Sequence, residues 1–165
     1  MWYAIWTETG KEKEAAAELA FFLPEESFKS CWVPTRVVRL KRRGVLKDVE
    51  KALFPGYFFI DCDDPGPVIK IIRKLERFRI ILKQGGVYTP ITPEEEKLIR
   101  RLTDRHGRVN VSLCTMNEDG LHVMDGPLKN MEPYRKKVDL HRLRVLVELD
   151  MFGKKHSFWA AVEMV

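Results

Sequence analysis

Four histidines, three cysteines and a run of aspartates are the residues of this 165-residue sequence with the chemistry to hold a metal or move a proton. His106, His122, His141 and His156 lie far apart, in stretches patterned as loop or strand, without the i, i+4 spacing that puts two imidazoles on one helix face. Cys31, Cys62 and Cys114 are odd in number and form no Cys-x-x-Cys pair, so neither a disulfide framework nor a cysteine-rich zinc site is expected. They read as reduced thiols of the core or surface. Asp61, Asp63 and Asp64 fall at a predicted strand end, where carboxylates form turns and face helix N-termini. No glycine-rich phosphate cradle and no Gly-x-Ser-x-Gly nucleophile elbow occurs. These patterns predict a protein that is not an enzyme and carries no metal or cofactor.

Binding chemistry is better represented. The chain has 29 Lys+Arg against 24 Asp+Glu, a net charge of +5, which suits an anionic partner and equally an ordinary solvated surface. Arg36, Arg39, Lys41, Arg42, Arg43, Lys47 and Lys51 ring one predicted hairpin, either as a phosphate-binding strip or as a solvated hairpin. From Cys114 to Val165 eight basic residues balance eight acidic ones. The basic ones bunch as Arg135-Lys136-Lys137, Arg142, Arg144 and Lys154-Lys155, with Tyr134, His141 and His156 among them, a weak likeness to RNA-binding surfaces. Between the two groups lies LFPGYFFI (Leu53 to Ile60), an apolar and aromatic stretch broken by Pro55-Gly56.

The elements that must position these residues follow from periodicity. WYAIW alternates and is rich in aromatic residues, so it reads as a first strand with its exit at Thr9-Gly10. KEKEAAAELAFFL reads as a helix with Ala15, Leu19, Phe22 and Leu23 inward. A short strand ending at Pro34, a hairpin turning at Gly44, and the strand GYFFIDC come next. PVIKIIRKLE is a helix with Val68, Ile71, Ile72 and Leu75 on one face and Lys70, Arg73 and Lys74 outside. RFRIILK reads as a strand, Gln84-Gly85-Gly86 as a turn, and TPEEEKLIRRL as a helix capped by Thr92 with Pro93 at its first position. Residues 105–113 read as a linker between a domain over 1–104 and a second over 114–165.

Beyond the linker the pattern is all strand. LHVM ends at Asp125-Gly126-Pro127, and RLRVLVELDM puts Leu143, Val145, Val147, Leu149 and Met151 on one face. After the turn at Phe152-Gly153, HSFWAAVEM groups Phe158, Ala160, Val162 and Met164. Short strands joined by tight turns predict a small barrel after an α/β sandwich, an α+β chain overall. With no run of about 18 apolar residues and no signal-peptide pattern, the expected compartment is the cytoplasm, with no membrane partner.

Trp2-Tyr3, Gly10-Lys11-Glu12, Val33-Pro34, Leu53-Phe54-Pro55-Gly56-Tyr57, Asp125-Gly126-Pro127 and Phe152-Gly153 resemble, in order and over nearly the whole chain, the NusG family of transcription elongation factors. The resemblance implies an N-terminal NGN domain with an antiparallel sheet and flanking helices, a linker, and a C-terminal KOW β-barrel, acting as a monomer. It implies that Trp2, Trp6, Phe54, Tyr57 and Phe59 line a cavity for the clamp helices of RNA polymerase's largest subunit, with Tyr57 and Phe59 as an exposed pair on one strand face. A second polymerase contact is implied at the start of the second helix, near Lys70, Arg73 and Lys74. Pro133 stands where the family generally has Gly, so that loop is expected to differ in backbone. The basic runs look like those of LoaP, a specialised antitermination paralogue that reads an RNA hairpin in the nascent leader. On that likeness Arg39, Arg42, Arg43, Tyr134, Arg135, Lys136, Lys137, His141, Arg142, Arg144, Lys154, Lys155 and His156 would contact RNA. In a general family member Phe152 would instead face Rho or a small-subunit ribosomal protein, and a ribosome-associated KOW protein binding ribosomal RNA is a further alternative.

Overall fold

The computed structural model describes residues 1–75, 80, 81, 83, 84 and 87–165, with only the backbone of those between 80 and 88. In chain order the first elements are β1 (Trp2–Trp6), α1 (Glu12–Phe22), β2 (Ser30–Trp32), β3 (Thr35–Arg42), β4 (Val45–Ala52), β5 (Tyr57–Asp61) and α2 (Gly66–Lys74). There follow β6 (Ile80–Ile81), β7 (Lys83–Gln84), β8 (Val87–Tyr88), α3 (Pro93–Leu102) and β9 (Arg108–Val109). The last are β10 (Ser112–Asn117), β11 (Gly120–Asp125), β12 (Arg135–Asp139), β13 (Arg144–Met151) and β14 (Lys154–Met164). Of the predicted strand RFRIILK, residues 77–79 and 82 lie outside the described residues, as do Gly85 and Gly86 of the predicted turn. Among the described residues no helix is long and apolar enough to cross a membrane.

The chain divides into two compact units, the first comprising Met1–Pro34 and Phe54–Lys97. Its four-stranded sheet runs β2-β5-β1-β6, with β1 antiparallel to β5 in the register Tyr3↔Ile60 and Ile5↔Phe58. Because strand side chains alternate, Tyr3, Ile5, Phe58 and Ile60 share one face, and they pack on Ala15, Ala16, Leu19 and Leu23 of the α1 segment and Val68 and Ile72 of α2. Trp2, Ala4, Trp6, Tyr57 and Phe59 take the other face. The expected inward position of Phe22 is not found: the buried stripe of α1 runs through Ala15, Ala16, Leu19 and Leu23, and Phe22, one position off that stripe, stays half exposed. The Thr92 cap forms as expected: Thr92 Oγ1 accepts from Glu95 N (3.1 Å) and Glu95 Oε1 accepts from Thr92 N (2.8 Å), a reciprocal capping box.

The second unit comprises Thr35–Leu53 and Leu98–Val165. β3 and β4 form an antiparallel hairpin whose last pair is Arg42↔Val45. Its two-residue turn has positive φ at Arg43 (52°) and Gly44 (78°), the mirror-image geometry that matches strand twist. A five-stranded sheet runs β11-β10-β14-β13-β12. Val145, Val147, Leu149, Met151, Phe158, Ala160 and Val162 fill its inner face, as the alternation predicts. Leu143 lies before β13 in a turn at φ 49°, and Met164 is half-buried. The β3–β4 hairpin thus belongs to the same compact unit as the C-terminal residues.

Residues 105–113 hold more order than a flexible connector. β9 pairs in parallel with β3, and Thr35 N donates to Gly107 O at 2.8 Å. Asp104 organises the turn before β9: its carboxylate accepts from His106 N (2.8 Å), Arg108 N (3.0 Å) and Asn110 Nδ2 (2.9 Å), with Arg108 Nε at 3.4 Å. Desolvation raises the Asp104 pKa, but the Asn110 bond, the Arg108 and His106 amides and the Arg108 charge outweigh it and bring the group down to about 2. A carboxylate favoured in the folded chain contributes fully above its ordinary pKa of 3.8 and loses that contribution as pH falls toward 2. Asp104→Asn should therefore cost about 1 to 2 kcal/mol at neutral pH, with solvent screening included, and the gap should close near pH ~2. Urea midpoints of both proteins across that range measure it, and a gap independent of pH would contradict the assignment.

Candidate functional site

The aromatic residues on the outer face of the first sheet come together around Phe59. Its ring centroid lies 5.7 Å from Trp32, 6.1 Å from Trp2 and 6.3 Å from Phe54, while Trp2 and Trp32 meet edge-on at 4.7 Å. Trp6 stacks on Tyr57, centroids 6.1 Å apart and planes within 3°. Phe54 and Phe59 are fully buried, and Trp2 and Tyr57 are 7% and 9% exposed. The expected exposed Tyr57–Phe59 pair is therefore not found; the most exposed ring of this face is Trp6, at 41%, while Trp32 is half-buried. Trp32 belongs to this cluster and was missed; the register Trp32↔Phe59 puts it on the same face, a pairing that a three-residue strand does not reveal in sequence.

The Pro-Gly break in FPGY aims this edge. Gly56 sits at φ +88°, its N donates to Glu12 Oε2 (3.1 Å), and its carbonyl accepts from Thr7 N (2.8 Å). A Cβ there would lie 3.2 Å from Trp6 Nε1 and 3.3 Å from Thr7 O. Glu12 Oε1 in turn accepts from Gly10 N at 2.7 Å, so one buried carboxylate pins the FPGY turn to the start of α1. In sequence Glu12 looks like an ordinary acidic residue of a helix first turn. Lys70, Arg73 and Lys74 are exposed, but none sits at the start of α2: Lys70 is at its middle, and Arg73 and Lys74 lie in the last turn, where cations complement the helix dipole.

In the second unit the basic residues divide by what they touch. Arg39 pairs with Asp48 (3.2 Å) and approaches Glu163 (4.0 Å). Arg144 pairs with Asp139 (3.3 Å) and lies 4.0 Å over the Trp159 ring. Arg135 pairs with Glu132 (3.8 Å), and Lys155 with Glu148 (3.3 Å). Arg36 donates from Nη1 to Trp159 O (3.0 Å); burial first, then the Arg144 charge, lower its pKa. Lys136 and Lys137, on the edge strand β12, are exposed and form no ion pair among the described residues. His141 and Arg142 are exposed in the turn before β13, Arg42 and Arg43 at the hairpin tip, and Lys154 at the start of β14. Tyr134 is half-buried at the end of a 3-10 turn begun by Glu132 and Pro133, and Asn130 (φ 60°) takes the left-handed conformation that Pro133 cannot. Phe152, at φ 54°, meets the half-buried His156 edge-on at 5.4 Å.

Residues 1–100 match the family model described as "Transcription termination factor nusG". The chain belongs to the NusG family. Its relatives include the transcription termination/antitermination protein NusG of Thermus thermophilus, 26% identical over 93% of this chain and 91% of that protein. NusG of Bacillus subtilis is 25% identical over 93% of this chain and 90% of its own length. The solved structure "Domain interaction in Thermotoga maritima NusG" shares the fold, with a TM-score of 0.59 and 16% identity over 97% of this chain and 92% of that one. The first unit's sheet with helices is NGN-like, and the curled five-stranded sheet is KOW-like. The chain is a NusG-type transcription termination/antitermination factor, a class that acts without catalysing a reaction.

Proposed function

We propose that this factor binds RNA polymerase through the Trp6–Tyr57 edge of its NGN-like sheet and recruits a structured nascent RNA through the basic edge of its KOW-like sheet, as LoaP does. The observation that carries the first half is Trp6, exposed at 41% and stacked on a Tyr57 that is itself held by the FPGY turn. A large ring presented on a rigid support is the usual form of an interface anchor. On the family resemblance its target is the tip of the clamp helices of the largest subunit, with Lys70, Arg73 and Lys74 as a second contact. Preferential binding to the elongating conformer would shift the enzyme's population away from paused states without any bond being made.

The unpaired, exposed Lys136 and Lys137 favour the RNA half, joined by His141, Arg142, Arg42 and Arg43, while the ion-paired Arg39, Arg135, Arg144 and Lys155 contribute less. A second reading is favoured by Phe152, a bulky residue held at positive φ in a turn, a strained geometry associated with functional display. In that reading the KOW-like sheet docks a protein such as Rho or a small-subunit ribosomal protein. One experiment separates them, using the full chain with polymerase elongation complexes and with folded leader RNA hairpins over a salt series. Trp6→Ala should weaken polymerase binding by about tenfold or more and leave RNA binding intact. Lys136→Glu with Lys137→Glu should do the reverse and reduce the salt slope by about 2. Normal polymerase binding by the Trp6 variant sinks the first half, and structure-blind RNA binding sinks the second in favour of the protein partner.

A further inference from the structure

The last turn of α1 exposes two adjacent aromatic rings that neither the core nor the proposed polymerase edge uses. Phe21 is 81% exposed and Phe22 50%, and the two rings meet edge-on at 5.2 Å. Helix rows at i, i+4 place Ala17 beneath Phe21, and Glu14 and Glu18 beneath Phe22. From Glu14 to Glu26 the sequence holds four carboxylates, Glu14, Glu18, Glu25 and Glu26, and no lysine or arginine, in a chain whose net charge is +5. Glu14 shares a 3.8 Å pair with Lys11 at the other end of the helix. No basic residue occupies the last turn, so the negative end of the helix dipole adds to the same field.

We infer that this acidic, aromatic end of α1 is a second docking surface, for a cationic protein segment that brings arginine or lysine together with aliphatic side chains. The rings supply apolar area and cation-binding faces, and the surrounding carboxylates supply charge complementarity. The same charges repel nucleic acid and anionic membranes, which leaves a basic protein surface as the matching occupant. α1 packs on the sheet face formed by Tyr3, Ile5, Phe58 and Ile60, opposite the face that carries Trp6 and Tyr57, so both surfaces can be engaged at once. The factor would then carry one protein-binding face on each side of its NGN-like sheet.

The test uses the full chain labelled for backbone amide NMR. It is titrated with an 18-residue amphipathic Arg/Leu peptide, with a Glu/Leu peptide of the same pattern, and with a single-stranded RNA. The Arg/Leu peptide should shift the amides of residues 14 to 27, and Phe21→Ser with Phe22→Ser should weaken it by about tenfold or more. Glu25→Lys with Glu26→Lys should do the same through charge alone. Both variants change exposed positions, so thermal midpoints should stay at the wild-type value, and either variant can carry the test if the other misfolds. Three results overturn the proposal: peptide shifts that map elsewhere or survive both variants; equal shifts at residues 14 to 27 from the Glu/Leu peptide or the RNA; and a wild-type self-association that the Phe variant abolishes, which would make this face a contact between two copies.

Discussion

Phe59→Ala should lower the stability of the N-terminal unit by about 3 to 5 kcal/mol, while Trp6→Ala, at the rim of the same aromatic face, should cost no more than about 1. Phe59 is fully buried on the central strand pair, with Trp2, Trp32 and Phe54 rings between 5.7 and 6.3 Å away. Its cross-strand neighbour on β1 is Ala4, which is too small to collapse into the space left behind. Truncation therefore leaves a cavity lined by rings that lose contacts on one side. Trp6 ends β1 at the rim, where loss of its ring removes one stacking partner and opens no cavity. Urea denaturation followed by tryptophan fluorescence measures both. The difference matters for function, because a Phe59 variant that fails to bind polymerase has first lost its fold. If Phe59→Ala cost less than about 1 kcal/mol, the face would be soft enough to open, and the deeper aromatic residues would return as candidate contacts.

Local rules were legible in the sequence and environments were not. The Arg43-Gly44 turn, the Thr92 cap, the alternation of β13 and the Asp125-Gly126-Pro127 turn each depend on a few adjacent residues, and each appears where those residues place it. The burial of Tyr57 and Phe59 depends on what covers the outer face of the sheet, which alternation along one strand cannot report. Basic residues were legible as charge, yet Arg39, Arg135 and Arg144 turn out to be ion-paired with Asp48, Glu132 and Asp139, all three on other strands or turns. Glu12 reads as a helix-start carboxylate, and its bond to Gly56, 44 positions away, is a product of the fold. Phe22 reads as inward together with Leu23 because five apolar residues in a row, Leu19 to Leu23, blur the edge of the buried stripe, and only Leu23 of the two is buried.

Gly126→Ala should cost the C-terminal unit about 3 to 5 kcal/mol, and Gly120→Ala only about 1 to 2, although the two glycines have nearly the same backbone conformation. Gly120 sits at φ +109° and Gly126 at +106°, so any side chain pays a similar backbone strain at either place. They differ in surroundings. A Cβ at Gly120 meets nothing within 4 Å, whereas one at Gly126 would lie 2.7 Å from Ser112 Cα and 2.8 Å from Ser112 Oγ. Ser112 cannot withdraw cheaply. It is fully buried, its hydroxyl accepts from Leu128 N at 3.0 Å, and its backbone opens β10 in parallel register with Val162 of β14. Moving it would break the bond that holds the chain after the Asp125-Gly126-Pro127 turn and disturb the join between β10 and β14. Subtracting the Gly120 cost from the Gly126 cost in matched urea titrations isolates this steric part, expected at about 2 kcal/mol or more. Equal costs would mean that the close approach of Gly126 to Ser112 relaxes freely, and that the turn needs glycine for its φ alone.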